Sequence, residues 1–142
     1  MAEQEIANIM RDCVKTLETG DVDKSLSFFT EDAVWVSPVG TFKGKDELRS
    51  YLSTESMQHM TITEAGNGII LQGNKAFFEH VIATTFQGRK LEGLVMCAYE
   101  FKGDKIQAIT TVYDRLLVAK QAAKGWLAKK LVNSIVKQTE KL

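Results

Sequence analysis

The chain holds one proline, two cysteines and two histidines in 142 residues, and its 18 basic residues cancel against 18 acidic ones. Each shortage excludes something. A secreted domain stapled by disulfides needs more than Cys13 and Cys97, so a reducing compartment is expected. His59 and His80 are too few for an ordinary histidine-rich zinc centre, and neither HExxH nor CxxC occurs. Zero net charge supplies no field that would gather nucleic acid, and no strand carries the aromatic and basic pattern of a sheet-surface RNA reader. No GxGxxG or GxxxxGK phosphate cradle is present, and no serine stands in a nucleophile elbow. No apolar run reaches the roughly 18 to 20 residues of a membrane span. Residues 1–10 carry Glu3 and Glu5 where a secretory leader needs positive charge. The expected address is therefore the cytoplasm, with neither nucleic acid nor membrane as a partner.

What is present describes a folded domain. Hydrophobic residues make up 44% and charged residues 25%, enough to bury a single core. Acidic side chains gather at the start and basic ones (Arg115, Lys120, Lys124, Lys129, Lys130, Lys137, Lys141) at the end, an asymmetry read as solvated helix faces. Ile6, Ile9, Met10, Cys13, Val14 and Leu17 recur at helical spacing, and Gly20 ends that helix. Asp21 caps a short second helix that buries Leu26, Phe28 and Phe29. Glu31-Asp32 reads as a turn, Ala33 to Ser37 as a strand stopped by Pro38, and Asp46 to Leu52 as a third helix.

The middle of the chain is β. Thr61 to Gln72 is strand-like, with a bulge or bend expected at Gly66 and Gly68. Short glycine turns then join Lys75–Phe86, Leu91–Phe101 and Lys105–Tyr113 into an antiparallel meander. Gly93 to Phe101 is apolar at nearly every position, so both faces of that strand should be covered, the second by another subunit. Residues 116–142 read as helical, with Leu127, Leu131 and Ile135, then Ala128, Val132 and Val136, forming one stripe and Gly125 marking a break. That stripe is expected to pack on its own protein, as a lid or dimer strap; a basic amphipathic helix on an anionic membrane is the alternative.

Leu17-Glu18-Thr19-Gly20-Asp21, Phe29-Thr30-Glu31-Asp32-Ala33 and Ser37-Pro38-Val39-Gly40 open the chain. Gln87-Gly88-Arg89-Lys90, Phe101, Gly103 and Val112-Tyr113-Asp114 close the meander. In this order the chain resembles the nuclear transport factor 2-like superfamily, especially its SnoaL-like and ketosteroid-isomerase-like branches, over residues 2–116. The resemblance implies an α+β fold: a cone-shaped, strongly bent antiparallel sheet packed against N-terminal helices, often dimeric, with a pocket in the cone. Residues 1–116 would form the cone domain and 117–142 a C-terminal amphipathic helix packed on the same domain or dimer. The family's chemistry does not carry over. Ser37 stands where ketosteroid isomerases place their base, Cys13 and Cys97 where they hold the oxyanion, and a thiol is a weak donor. His80 and Thr111 occupy the aspartate positions of limonene epoxide hydrolases, and Phe78 that of their arginine.

If Cys97 points into the cone, alternation sends Val95, Tyr99 and Phe101 with it and Leu94 and Met96 outward. Cys13, Leu17, Trp35, Ser37, Phe78, Ile82, Cys97, Ile109 and Thr111 are then the candidate ligand-binding residues, around a small apolar molecule; a filled core is the competing reading. His80 is the candidate for proton transfer, positioned by Tyr99 or Tyr113, or else a core histidine bonded to a tyrosine or a carbonyl. Asp114 is expected to cap the following helix. No cofactor or metal is expected; a soft site of Cys13, Cys97 and His80 is a remote alternative. Three functions remain: a ligand binder, an isomerase-, cyclase- or hydrolase-type enzyme using His80, and a dimeric interaction module.

Overall fold

In the computed structural model, which describes residues 1–140, the apolar stripe of the first segment is buried along one face of α1 (Glu3–Thr19): Ile6, Met10, Cys13 and Leu17 all point inward. Gly20 ends the helix in the left-handed region at φ 74°, donating its N–H to the Leu17 carbonyl, a geometry that costs glycine little. The Asp21 carboxylate accepts from the Lys24 N–H at 3.0 Å and starts α2 (Val22–Leu26).

The first strand is longer than the sequence suggests. β1 (Phe29–Ser37) runs through Glu31 and Asp32, which were expected to form a turn. The register explains the difference: the step from Phe29 to Val34 faces the shorter step from Ile106 to Ala108, so the strand bulges there and continues. A short β2 (Gly40–Lys43), absent from the sequence reading, pairs back on β1 after Pro38. Then come α3 (Gly44–Leu52), a single turn α4 (Glu55–Gln58), and the long strands β3 (Thr61–Gln72), β4 (Lys75–Phe86), β5 (Arg89–Lys102) and β6 (Lys105–Tyr113).

The sheet order is β2-β1-β6-β5-β4-β3. The meander is antiparallel as expected, while β1 joins β6 in parallel, so the sheet is mixed. The fold is the expected α+β arrangement, with α1 to α4 against one face of a bent, unclosed sheet. The expected bulge in β3 lies between Glu64 and Ile69. It depends on Gly66, whose φ is +53° and where an added Cβ would sit 1.8 Å from the Glu79 carboxylate. That carboxylate accepts from the Asn67 backbone at 3.4 Å and holds the bulge from the outer face.

After β6, the Asp114 carboxylate accepts from the Leu116 and Leu117 N–H groups and caps α5 (Arg115–Ala122), as expected. β6 stops pairing at Val95, leaving the next stretch of β5 an open edge. The Gln121 side chain covers it, accepting from the Glu92 N–H and donating to the Glu92 carbonyl, each at 2.7 Å. An amide offers one donor and one acceptor to the strand and so substitutes for a neighbouring backbone.

The C-terminal region is two helices, with the break at Gly125 (φ 75°) before α6 (Trp126–Thr139). Ala128 and Val132 are half-buried and Val136 is buried. Leu127, Leu131 and Ile135 stay 57%, 59% and 49% exposed in the single chain, because α6 packs chiefly on α5 and only one edge of its apolar arc is covered. Lys141 and Leu142, the end of the expected helix, lie outside the described residues.

Gly66→Ala should lower stability by about 1 to 2 kcal/mol, from the left-handed φ and the displaced Glu79. Gly93, whose Cβ would meet open space at an ordinary φ, should tolerate alanine with no loss. Urea unfolding of both variants checks the pair; equal losses would refute the account of the bulge.

Candidate functional site

Every second residue of the meander faces the helices, and the ladders sort these residues into rows. One row holds Phe78, Cys97 and Thr111, the next His80, Val95 and Tyr113. Trp35 lies beside Ile109, which faces Tyr99 on its other side. Trp35, Ser37, Phe78, His80, Cys97, Tyr99, Ile109 and Thr111 are buried, as are Cys13 and Leu17 from α1; Ile82 and Tyr113 are half-buried.

These residues meet as a packed interior. The Trp35 indole N–H donates to the Thr111 hydroxyl at 2.9 Å, and Cys97 Sγ lies 3.1 Å from the same oxygen. Phe29 stacks on Trp35 at 5.9 Å, Tyr51 meets its edge at 5.2 Å, and Phe42 covers Tyr51 at 4.2 Å. Tyr51 is a residue the sequence reading placed on its helix but not in the site. Burial pushes its phenol up to about 12, against the opposing effect of a hydrogen bond with Ser37.

His80 Nδ1 lies 3.2 Å from the Phe78 carbonyl oxygen, and its ring stacks on Phe78 at 4.2 Å. A carbonyl only accepts, so Nδ1 carries the proton and Nε2 of the neutral ring is left as an acceptor. Burial pulls the imidazole below its ordinary value, with the Phe78 contact opposing. Of the anchors expected for it, the carbonyl is the one the structure has; neither Tyr99 nor Tyr113 hydrogen-bonds to the ring. Burial raises both phenols, Tyr99 well above the ordinary range, while Arg115 opposes the shift at Tyr113.

The two thiols are free and buried. Burial alone pushes Cys13 up to about 12; it pushes Cys97 up to about 11, with the Thr111 contact opposing. Neither supplies thiolate near neutral pH, which removes them as nucleophiles. Among the described residues no three His, Cys, Asp or Glu side chains gather as a metal site.

Open space lies at the flank instead. A cleft of about 170 Å³ separates α1 from β3, lined by Arg11, Val14, Lys15, Glu18, Ile62, Glu64 and the buried Phe78. Arg11 Nε donates to Glu64 Oε1 at 3.0 Å, and the Glu18 carboxylate accepts from the Ile62 N–H at 3.4 Å. Glu64 is the ladder partner of His80, so the cleft abuts the histidine row. Apart from Phe78, the sequence reading missed this set. Arg11, Lys15 and Glu18 share one helix face by spacing, but nothing local says that β3 lies across from them.

The architecture has solved counterparts. An NTF2-like protein from Burkholderia xenovorans is 21% identical, with 85% of this chain and 98% of that chain covered and a TM-score of 0.70. An NTF2-like protein of unknown function from Burkholderia pseudomallei gives 15% identity, coverage of 87% and 100%, and a TM-score of 0.75. TerC, co-crystallized with polyporic acid, gives 16%, coverage of 82% and 97%, and 0.72. At these identities the likeness shows the fold alone. No curated protein matches the sequence. No helix among the described residues is long and apolar enough to cross a membrane. The SnoaL-like domain profile matches residues 10–109, which is most of the chain and runs from the middle of α1 to the middle of β6; the chain belongs to the SnoaL-like domain family.

Proposed function

We propose that the protein binds a small apolar molecule in the cleft between α1 and β3. The observation that carries this reading is free space of about 170 Å³ with apolar walls (Val14, Ile62, Phe78) inside a charged rim. A dry cavity of ~150 Å³ admits one benzene-sized ring, whereas drug-sized ligands need roughly 300 Å³ or more. A single-ring or short aliphatic molecule therefore fits the chain as folded, and a larger one requires α1 to move away from β3. TerC, similar in fold, was crystallized with polyporic acid, which supports a ligand-holding role for this architecture. The two free buried thiols suit a reducing compartment such as the cytoplasm.

A catalytic reading rests on one observation: His80 is a neutral base with a fixed tautomer, one ladder position from the cleft rim. Ser37, Cys13, Cys97 and Thr111 offer no group titrating near neutral pH, so in an enzyme His80 would carry the proton transfer. Such catalysis is worth a factor of roughly 100 to 10,000.

The same reading includes a homodimer through the outer face of the sheet. Phe77, Leu94, Met96 and Val112 project there from neighbouring strands and are 62%, 51%, 45% and 56% exposed. A contiguous apolar sheet face of this kind is what a second subunit covers.

Titrating benzene or phenol into labelled protein should shift the amide signals of Val14, Ile62 and Phe78. Val14→Trp, which fills the cleft, should weaken binding at least tenfold with the fold retained. Absence of shifts up to the solubility of the probes would sink the binding site.

Met96→Lys should convert the dimer to monomer or aggregate, because a charge at the centre of an apolar interface is desolvated. A wild-type protein that sediments as a monomer at micromolar concentration ends the dimer reading.

Because burial lowers the folded-state pKa of His80 below 6.5, the unfolded chain binds the extra proton. The contribution of a neutral imidazole is thus complete above pH 6.5 and is lost as pH falls through the folded value. His80→Gln should flatten stability over that acid range, measured by urea unfolding, and should cut any turnover at least tenfold while ligand affinity holds. Undiminished turnover would take His80 out of the mechanism.

A further inference from the structure

The last two helices combine an uncovered apolar stripe with an unbalanced charge. From Arg115 to Thr139 the chain carries six cations (Arg115, Lys120, Lys124, Lys129, Lys130 and Lys137) and no aspartate or glutamate. The protein as a whole is neutral, so this unit holds a local excess that the remainder offsets elsewhere. All six side chains are exposed. Leu127, Leu131 and Ile135 follow one another at every fourth residue and span about 12 Å of helix. All three are exposed, Ile135 least at 49%, and Trp126 at the head of α6 is 75% exposed. Lys130 and Lys137 border the stripe on the side away from α5, at about 60 to 80° around the helix from Leu127.

We propose that α6 docks on an anionic membrane surface, laying Leu127, Leu131 and Ile135 into the headgroup boundary while the lysines meet lipid phosphates and carboxylates. This departs from the sequence expectation that no membrane partner exists, and it rests on the stripe being uncovered. Charge complementarity selects the occupant. Lysine stems lie along apolar surface while their ammonium groups reach outward, the disposition an interfacial helix uses. A second copy laid stripe on stripe is the competing cover. A two-fold contact sets the same patch against itself, and here it would gather Lys130 and Lys137 of both copies around one contact, with no acid from Arg115 to Thr139 to offset them. An anionic surface turns that repulsion into attraction, since each basic residue near it adds a favourable increment that salt screens. The cleft between α1 and β3 takes no part.

The full chain is mixed with phosphatidylcholine vesicles with and without phosphatidylserine. Binding is followed by co-sedimentation and by tryptophan emission, in which Trp35 is buried and Trp126 reports the helix. The expected result is sedimentation and a blue shift with phosphatidylserine, both reversed by high salt. The triple variant Lys129→Glu, Lys130→Glu, Lys137→Glu should bind at least tenfold more weakly, and so should Leu127→Ala with Leu131→Ala and Ile135→Ala. These positions are exposed, and unchanged circular dichroism checks that the variants fold. Trp126→Phe should still sediment but lose the spectral shift. No sedimentation, equal binding to pure phosphatidylcholine, or binding unchanged in both triple variants would overturn the proposal. So would Leu131→Asp altering the sedimentation coefficient of the lipid-free protein, which would make the stripe a protein interface.

Discussion

Trp35 donates its indole N–H to Thr111 at 2.9 Å, and Thr111 in turn meets Cys97 at 3.1 Å. This short buried chain ties β1 to β6 and β6 to β5, across the one parallel junction in the sheet. Much else is arranged around it. A buried indole N–H without an acceptor is costly, so Thr111 fixes where the Trp35 ring lies. The ring then brings Phe29 to one side and the edge of Tyr51 to another. With those rings in place the centre of the sheet is packed, and the cleft of about 170 Å³ lies to one side, between α1 and β3.

That displacement bears on function. Ser37, Cys13 and Cys97, compared above with ketosteroid-isomerase positions, and Thr111, compared with a limonene-epoxide-hydrolase one, are all buried: Cys97 lies against Thr111, and Ser37 Oγ accepts from the Val39 N–H. Burial holds both thiols protonated, and the Thr111 hydroxyl is engaged. These groups now stabilise the interior. His80 differs because its anchor uses one ring nitrogen and leaves the other as an acceptor. It also sits in the row that ends at Glu64, beside the cleft. The titratable group and the free space therefore share one flank, which is why binding and catalysis are readings of the same place.

Much of this was legible in the sequence, and the parts that were not share a physical cause. The meander strands, the bulge at Gly66 and Gly68, and the caps at Asp21 and Asp114 are local signals: glycine turns, side-chain alternation, and a carboxylate at a helix start. With Cys97 taken as inward from the family resemblance, alternation placed Val95 and Tyr99 inside and Leu94 and Met96 outside, and the burial agrees. The misreadings depend on distant partners. Glu31 and Asp32 have the composition of a turn, yet pairing with Ile106 to Ala108 keeps them in β1 as a bulge. β2 is four residues of weak preference that exist because β1 offers an edge. The cleft needs Arg11, Lys15 and Glu18 to face Ile62 and Glu64, a juxtaposition across some fifty residues that no spacing rule encodes.

The apolar surface left over is divided between two places with opposite electrostatics, and that division constrains how they can be covered. On the outer sheet face, Phe77, Leu94, Met96 and Val112 stand among Glu79, Glu100 and Lys75, with charges of both signs. A self-complementary contact there can pair unlike charges at its rim, so a second copy is an electrostatically permitted cover. On α6 the cations have no counterpart within the unit, and the same two-fold contact would accumulate like charge. Gln121 links the two regions mechanically, because its amide binds the Glu92 backbone on the open edge of β5. Leu94 lies two residues along that strand on the outer face. A second tie, the Arg89 guanidinium donating to the Ala123 carbonyl, joins the start of β5 to the end of α5, so the basic helices are held at the edge of that strand. The two apolar surfaces thus hang from one strand, β5, yet differ in charge: mixed signs around the sheet face, cations alone between Arg115 and Thr139.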